Sequence, residues 1–158
     1  MATDILTTAV IQSMARNLSV PDLIRTTETL KQSGQANSVE TLYATWIQHN
    51  QDNPLLYAVL FNYSVTLSDS GKLNPARECL ERAIALNPDF IQAYINLGRV
   101  YERLGNAGLA VIQWSAALGK MTAVNGSAIT HKTMLLNQSA RALETANQDE
   151  SADRKSVV

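Results

Sequence analysis

The chain has 158 residues, 46% of them apolar and 17% charged, so it is long and apolar enough to bury a real core and disorder is not its default. Thirteen Lys plus Arg against fourteen Asp plus Glu leave a formal charge of −1, which excludes an overall electrostatic attraction to nucleic acid or to an anionic membrane. The lone Cys79 closes no intrachain disulfide, the opening "MATDILTTAVIQSMARNL" is no secretory leader, and no apolar run is long enough to span a bilayer, so a cytoplasmic location is expected.

Apolar residues recur at three and four rather than at two, and Gly and Pro are few, which makes the expected class all-α with about nine helices. The first, over 4–17, sets Ile5, Leu6, Val10 and Met14 on one face and is expected to cap a stack. Helices over 20–32 and 38–50 follow, the second opened by a capping box of Asn37 and Glu40. After Pro54 come helices over 55–69 and 74–87, turned at Gly71; after Pro88 come helices over 90–104 and 107–123, turned at Gly105. Ser127, beyond an Asn125-Gly126 turn, caps a helix over 128–146, and a last helix runs from 148 to the end.

Two of these hairpins repeat each other at an offset of 34. Pro54 pairs with Pro88, Leu60 with Tyr94, Tyr63 with Leu97, Ser64 with Gly98, Leu67 with Tyr101, Gly71 with Gly105, Ala76 with Ala110, Leu80 with Trp114 and Ala83 with Ala117. Two antiparallel helices that cross closely need small residues on both walls, here Ser64 or Gly98 against Ala76 or Ala110, while Leu80 or Trp114 fills the space toward the next hairpin. This spacing and pattern resemble the tetratricopeptide repeat, most completely from Pro88 through Ala117, and the resemblance implies a right-handed superhelix of stacked hairpins.

On that pattern residues 1–158 form a single repeat domain. It comprises a capping helix over 1–19, a degenerate hairpin over 20–52, regular repeats over 53–87 and 88–121, and an extended, incomplete repeat over 122–158. Trp46 stands 34 before Leu80 at the same bulky place, and "LNQSARALE" realigns with "INLGRVYE" at an offset of 42, eight residues having been inserted. The strings "LYATWIQHNQDNPLLYAVLFNYSVTLSDSG", "AIALNPDFIQAYINLGRVYERLG" and "HKTMLLNQSARALE" are similar to the amino-terminal repeat region of bacterial SPINDLY-type O-linked N-acetylglucosamine transferases. That resemblance implies an arm that presents protein substrates to a carboxy-terminal transferase domain or assembles subunits. The sequence contains no such domain and ends in "SADRKSVV", which reads as a fragment or a shortened relative.

No catalytic constellation is written in the chain. His49 and His131 are 82 residues apart, Cys79 reads as a packing residue, and neither metal-ligand spacing nor a Gly-rich phosphate loop occurs, so no cofactor, metal or enzymatic activity is expected. Trp46 and Trp114 read as core. What remains is the surface of the first helix of each hairpin. Asn62 and Asn96 hold the same place one repeat apart, with Gln138 at its equivalent, and a row of carboxamides, donor and acceptor both, suits the backbone of an extended peptide. The resemblance to the O-linked transferases implies such an asparagine ladder; the competing reading has these amides tie neighbouring helices. Arg99 and Arg141, three places on, meet carboxylates of a partner or else pair with Glu102 and Glu144, and Phe61 and Ile95 lay an apolar strip beside the amides. A clamp for acidic chaperone tails fits less well, because Phe61 and Val65 stand where Lys and Asn are needed. Two functions compete: a protein or peptide partner in the groove, or pairing with another copy of the chain.

Overall fold

The computed structural model describes residues 4–121 and 134–145. Among them are eight helices and no strand: α1 Ile5–Met14, α2 Val20–Gln32, α3 Ala36–His49, α4 Leu56–Asp69, α5 Leu73–Leu86, α6 Ile91–Arg103, α7 Ala107–Met121 and α8 over 134–145. The Asn125-Gly126 turn, the cap at Ser127 and the helix from 148 lie outside the described residues. The helices group into two compact units, Met1–Leu86 and Asn87–Val158.

In the first unit every helix packs on its neighbour or next neighbour in the chain. Ser19 starts α2 by accepting the N–H of Asp22 at 3.3 Å, with Pro21 in the first turn where its missing donor costs nothing. The helix ends at Gly34, and α4 ends likewise at Gly71, where φ is +77°. Gly71 N–H closes on Ser68 O and Lys72 N–H on Leu67 O, satisfying two carbonyls that the helix end would orphan. The core holds Leu23, Leu30, Leu42, Trp46, Leu60 and Leu80, each at most 2% exposed.

Two expectations for this unit are corrected. The box of Asn37 and Glu40 does not form: α3 begins earlier, at Ala36, and Glu40, buried along most of its side chain, accepts Lys72 Nζ at 2.6 Å instead. On α1, Ile5 and Met14 are each 54% exposed, and the buried side is Ala9 and Ser13 flanked by half-buried Leu6 and Val10. Small residues decide this, because they let α1 approach closely enough for Asn50 Nδ2 to reach Ser13 O at 3.3 Å while also donating to Trp46 O at 2.8 Å.

The degenerate hairpin departs from the regular one at a definable place. Gly34 and Gly71 are 37 apart whereas Trp46 and Leu80 are 34 apart, so three extra residues lie between the turn and the plug. Counting back by 37 from Ser64 reaches Thr27, and both are buried. The hydroxyl of Thr27 donates to Ile24 O at 2.8 Å and lies 3.1 Å from the Tyr43 hydroxyl.

In the second unit α6 and α7 form the more regular hairpin, turned at Gly105 by the same pair of backbone bonds. Ile95, Ala110, Trp114, Ala117 and Met121 form its core with Leu135 and Ala142 of α8. Gly98 is needed for a reason different from the one expected: a Cβ there would lie 2.1 Å from Trp114 Nε1, so the glycine makes room for the indole rather than for Ala110. Lys120 Nζ donates to Asp89 Oδ1 at 3.1 Å and sits 5.4 Å from the centre of the Tyr94 ring, pinning the end of α7 to the turn before α6.

Candidate functional site

The first helices of the hairpins carry the residues singled out in the sequence. On α4, Phe61 and Asn62 are half-buried, and Asn62 Nδ2 donates to Ala58 O at 2.8 Å, one turn back in its own helix. On α6, Asn96 is half-buried, and its Oδ1 accepts Arg99 Nη1 at 3.3 Å. Arg99 is exposed and makes this bond. On α8, Gln138 is half-buried with its Oε1 enclosed, and Arg141 is exposed. The bonds of Asn62 and Asn96 therefore stay inside one helix each and do not tie it to a neighbour.

Ile95 departs from the expected apolar strip. It is 7% exposed, packs in the core of the second unit and accepts Trp114 Nε1 at its carbonyl, 3.1 Å away. A helix turns 100° per residue, so Ile95 and Asn96 cannot share one outward direction, and the buried side claimed the isoleucine. Phe61, in the equivalent place on α4, keeps part of its ring accessible.

The family model described as the tetratricopeptide repeat matches residues 67–105, which join the end of α4, all of α5 and all of α6. Solved structures extend the likeness over most of the chain. The TPR2B domain of yeast Sti1, in complex with an Hsp70 peptide, superposes with a TM-score of 0.62 at 17% identity, covering 85% of this chain and 98% of that one. The fold is a tetratricopeptide-repeat array. The Sgt2 repeat domain of Aspergillus fumigatus superposes on this array with a TM-score of 0.65 at 20% identity, covering 81% of each chain. The first repeat domain of Spaghetti (RPAP3), bound to the HSP90 peptide SRMEEVD, does so with a TM-score of 0.57 at 15% identity, covering 84% and 94%. No curated protein matches the sequence.

The remaining candidates of the repeat array behave as packing residues. Burial pushes the Cys79 thiol up to about 11, so it holds its proton at neutral pH and is a poor nucleophile. His49 Nδ1 lies 2.9 Å from Thr45 O on its own helix, while His131 falls outside the described residues. Trp46 and Trp114 are fully buried, and each indole N–H donates to a main-chain carbonyl, Leu18 O and Ile95 O. Those polar ends were not anticipated, and the matching of two tryptophans to one repeat place is the signal that points to them. Among the described residues no group of three His, Cys, Asp or Glu could hold a metal ion, and no helix is long and apolar enough to cross a membrane.

Proposed function

We propose that the chain is a protein-interaction module whose first helices bind extended peptide, through Asn62 in the first unit and through Asn96 and Gln138 in the second. The observation that carries this reading is the recurrence of a half-buried carboxamide at one repeat place on α4 and α6, with bonds that stay inside its own helix. Such a group keeps capacity to donate to and accept from a passing backbone. Structural neighbours in complex with Hsp70 and HSP90 peptides support a peptide as the ligand class. The residues narrow that class. Phe61 and Val65 on α4 offer an apolar surface, whereas a peptide such as SRMEEVD calls for cations there, so the segment passing α4 is uncharged. Arg99 and Arg141, both exposed, are free of burial cost and would meet a carboxylate of a segment bound at α6 and α8.

The test is an array of extended peptides probed with the intact chain, followed by titration of the tightest binders against the Asn62→Ala/Asn96→Ala variant. Each lost hydrogen bond is worth about 0.5–1.5 kcal/mol, so affinity should fall on the order of 5- to 150-fold with the melting temperature unchanged. Binding as tight as that of the parent would defeat the reading. A finer version, in which this arm presents protein substrates to an O-linked N-acetylglucosamine transferase domain, rests on the sequence strings quoted above; an in-frame transferase domain in the gene would support it, and its absence would leave a free-standing module. Self-association is the second reading, favoured by the apolar residues left exposed on α1 and α8.

A further inference from the structure

Three contacts set the first helices of the first unit, α2 and α4, in register. Tyr43 of α3 touches both: its hydroxyl lies 3.1 Å from that of Thr27, and its ring centre lies 5.5 Å from that of Tyr63. Farther along, Lys31 Nζ lies 4.0 Å from Asp69 Oδ2. Passing from 27 to 31 on α2 therefore passes from 63 to 69 on α4, so the two helices run in the same direction. Seven residues are close to two turns and return to the same side of a helix. Seven places before the ion pair stand Ile24 on α2 and Asn62 on α4, and one turn before it stand Glu28 and Val65. The count of 37 that pairs Thr27 with Ser64 agrees, for it pairs Ile24 with Phe61 and Glu28 with Val65.

The strip between these helices has a definite chemistry. Ile24 is 38% exposed, and Asn62 and Val65 are half-buried. The neighbouring cations are already matched, Arg25 by Asp22 and Lys31 by Asp69. Glu28 is not. It is exposed, its Oε1 accepts Gln32 Nε2 at 3.4 Å, and among the described residues no cation pairs with it. An apolar place, a carboxamide and an uncompensated carboxylate thus follow one another along a single strip.

We infer that this strip selects an extended peptide with an apolar residue and, two residues on, a lysine or arginine. The inference rests on the peptide-binding reading of Asn62 and names the ligand for it. The apolar side chain rests on Ile24, Asn62 opposite bonds to the peptide's main chain, and the cation lays its aliphatic stem on Val65 while its charge meets Glu28. The spacing follows from the two periods: one helical turn from Ile24 to Glu28 rises about 6 Å, and side chains on one side of an extended chain recur every 6.6 Å or so. The positive charge is required by α2, so the residue facing α4 stays uncharged. An acidic segment meets the wrong sign at Glu28.

Fluorescence anisotropy of the full chain with capped, dye-labelled heptapeptides tests this: Ser-Thr-Leu-Thr-Lys-Thr-Ser, the same peptide with Glu in place of Lys, and the same with Ser in place of Leu. The Lys peptide should bind about 2- to 30-fold more tightly than the Glu peptide, the range given by exchanging an exposed ion pair for a like-charge pair. Glu28→Lys should reverse that order with helical content unchanged by circular dichroism, which a loss of structure does not do. Ile24→Ser should weaken the Leu peptide about 3- to 10-fold and leave the version lacking Leu unaffected. Equal binding of the Lys and Glu peptides, an order that Glu28→Lys fails to reverse, or no binding of the Lys peptide up to its solubility limit overturns the inference. Asn62→Ala separates it from the reading beneath it. If that variant weakens both peptides while the parent shows no preference between them, charge selection falls and the carboxamide site stands; if binding is indifferent to Asn62→Ala, both fall.

Discussion

Gly98 and Trp114 divide a space that Ser64 and Leu80 divide differently one repeat earlier. Alanine at position 98 would gain about 1 kcal/mol in helix propensity, but its Cβ would collide with a fully buried indole already held by its N–H to Ile95 O. Overpacking of that kind costs about 1–3 kcal/mol, and the rigid ring cannot swing aside, so Gly98→Ala should lower stability to urea. Gly98→Ser combined with Trp114→Leu recreates the earlier pair and should cost less than the sum of the two single changes; strict additivity would show that the two sites do not share their space. Cys79 gives a second prediction. The folded chain holds its thiol proton up to about 11, against an ordinary value of 9.0, because burial penalises the thiolate. Below pH 9 both states keep the proton and stability is level in this respect; as pH rises toward 11 the unfolded chain loses it first, and stability falls. Burial raises Tyr43 and Tyr63 as well and extends the decline at higher pH. Cys79→Ala should flatten the early part of that slope in melting temperatures measured against pH.

Among the elements, the tight turns set where each hairpin reverses. Gly71 has φ of +77° with open space around it, so a methyl group meets no neighbour and the whole penalty of Gly71→Ala is backbone strain, about 1 kcal/mol. Gly108, inside α7 with equally open space and ordinary φ, predicts the reverse: Gly108→Ala should stabilise by about 0.5–1 kcal/mol, and opposite shifts of the two denaturation midpoints would check both. These turns were legible because glycine at that place has one physical cause. Thr27 was not, since three extra residues after Gly34 shift it out of the 34-residue count that Trp46 still obeys. The start of α3 was misread for a related reason: Asn37 and Glu40 have the spacing of a cap, but the turn at Gly34 lets the helix begin before them. On α1 the apolar residues are spread around the cylinder, so periodicity did not reveal that Ala9 and Ser13 form the buried side. At the candidate site the repeat count found the carboxamides, whereas the burial of Ile95 depended on the Trp114 pocket, which a one-dimensional pattern does not display.

For the molecule as a whole, the 34-residue register carried the class and the hairpin order, because stacked repeats translate sequence period directly into architecture. The helix pairings within each unit join elements next to one another or one apart in the chain. Structures dominated by such local contacts fold in microseconds to milliseconds, so refolding from urea should be complete within about that range, and a dominant phase of seconds would count against so local a topology. The same nearness bears on how the protein is made. Helices α1 to α5 belong to one compact unit that ends at Leu86, so a nascent chain emerging from the ribosome can begin to gather that core around Trp46 before Trp114 has been translated.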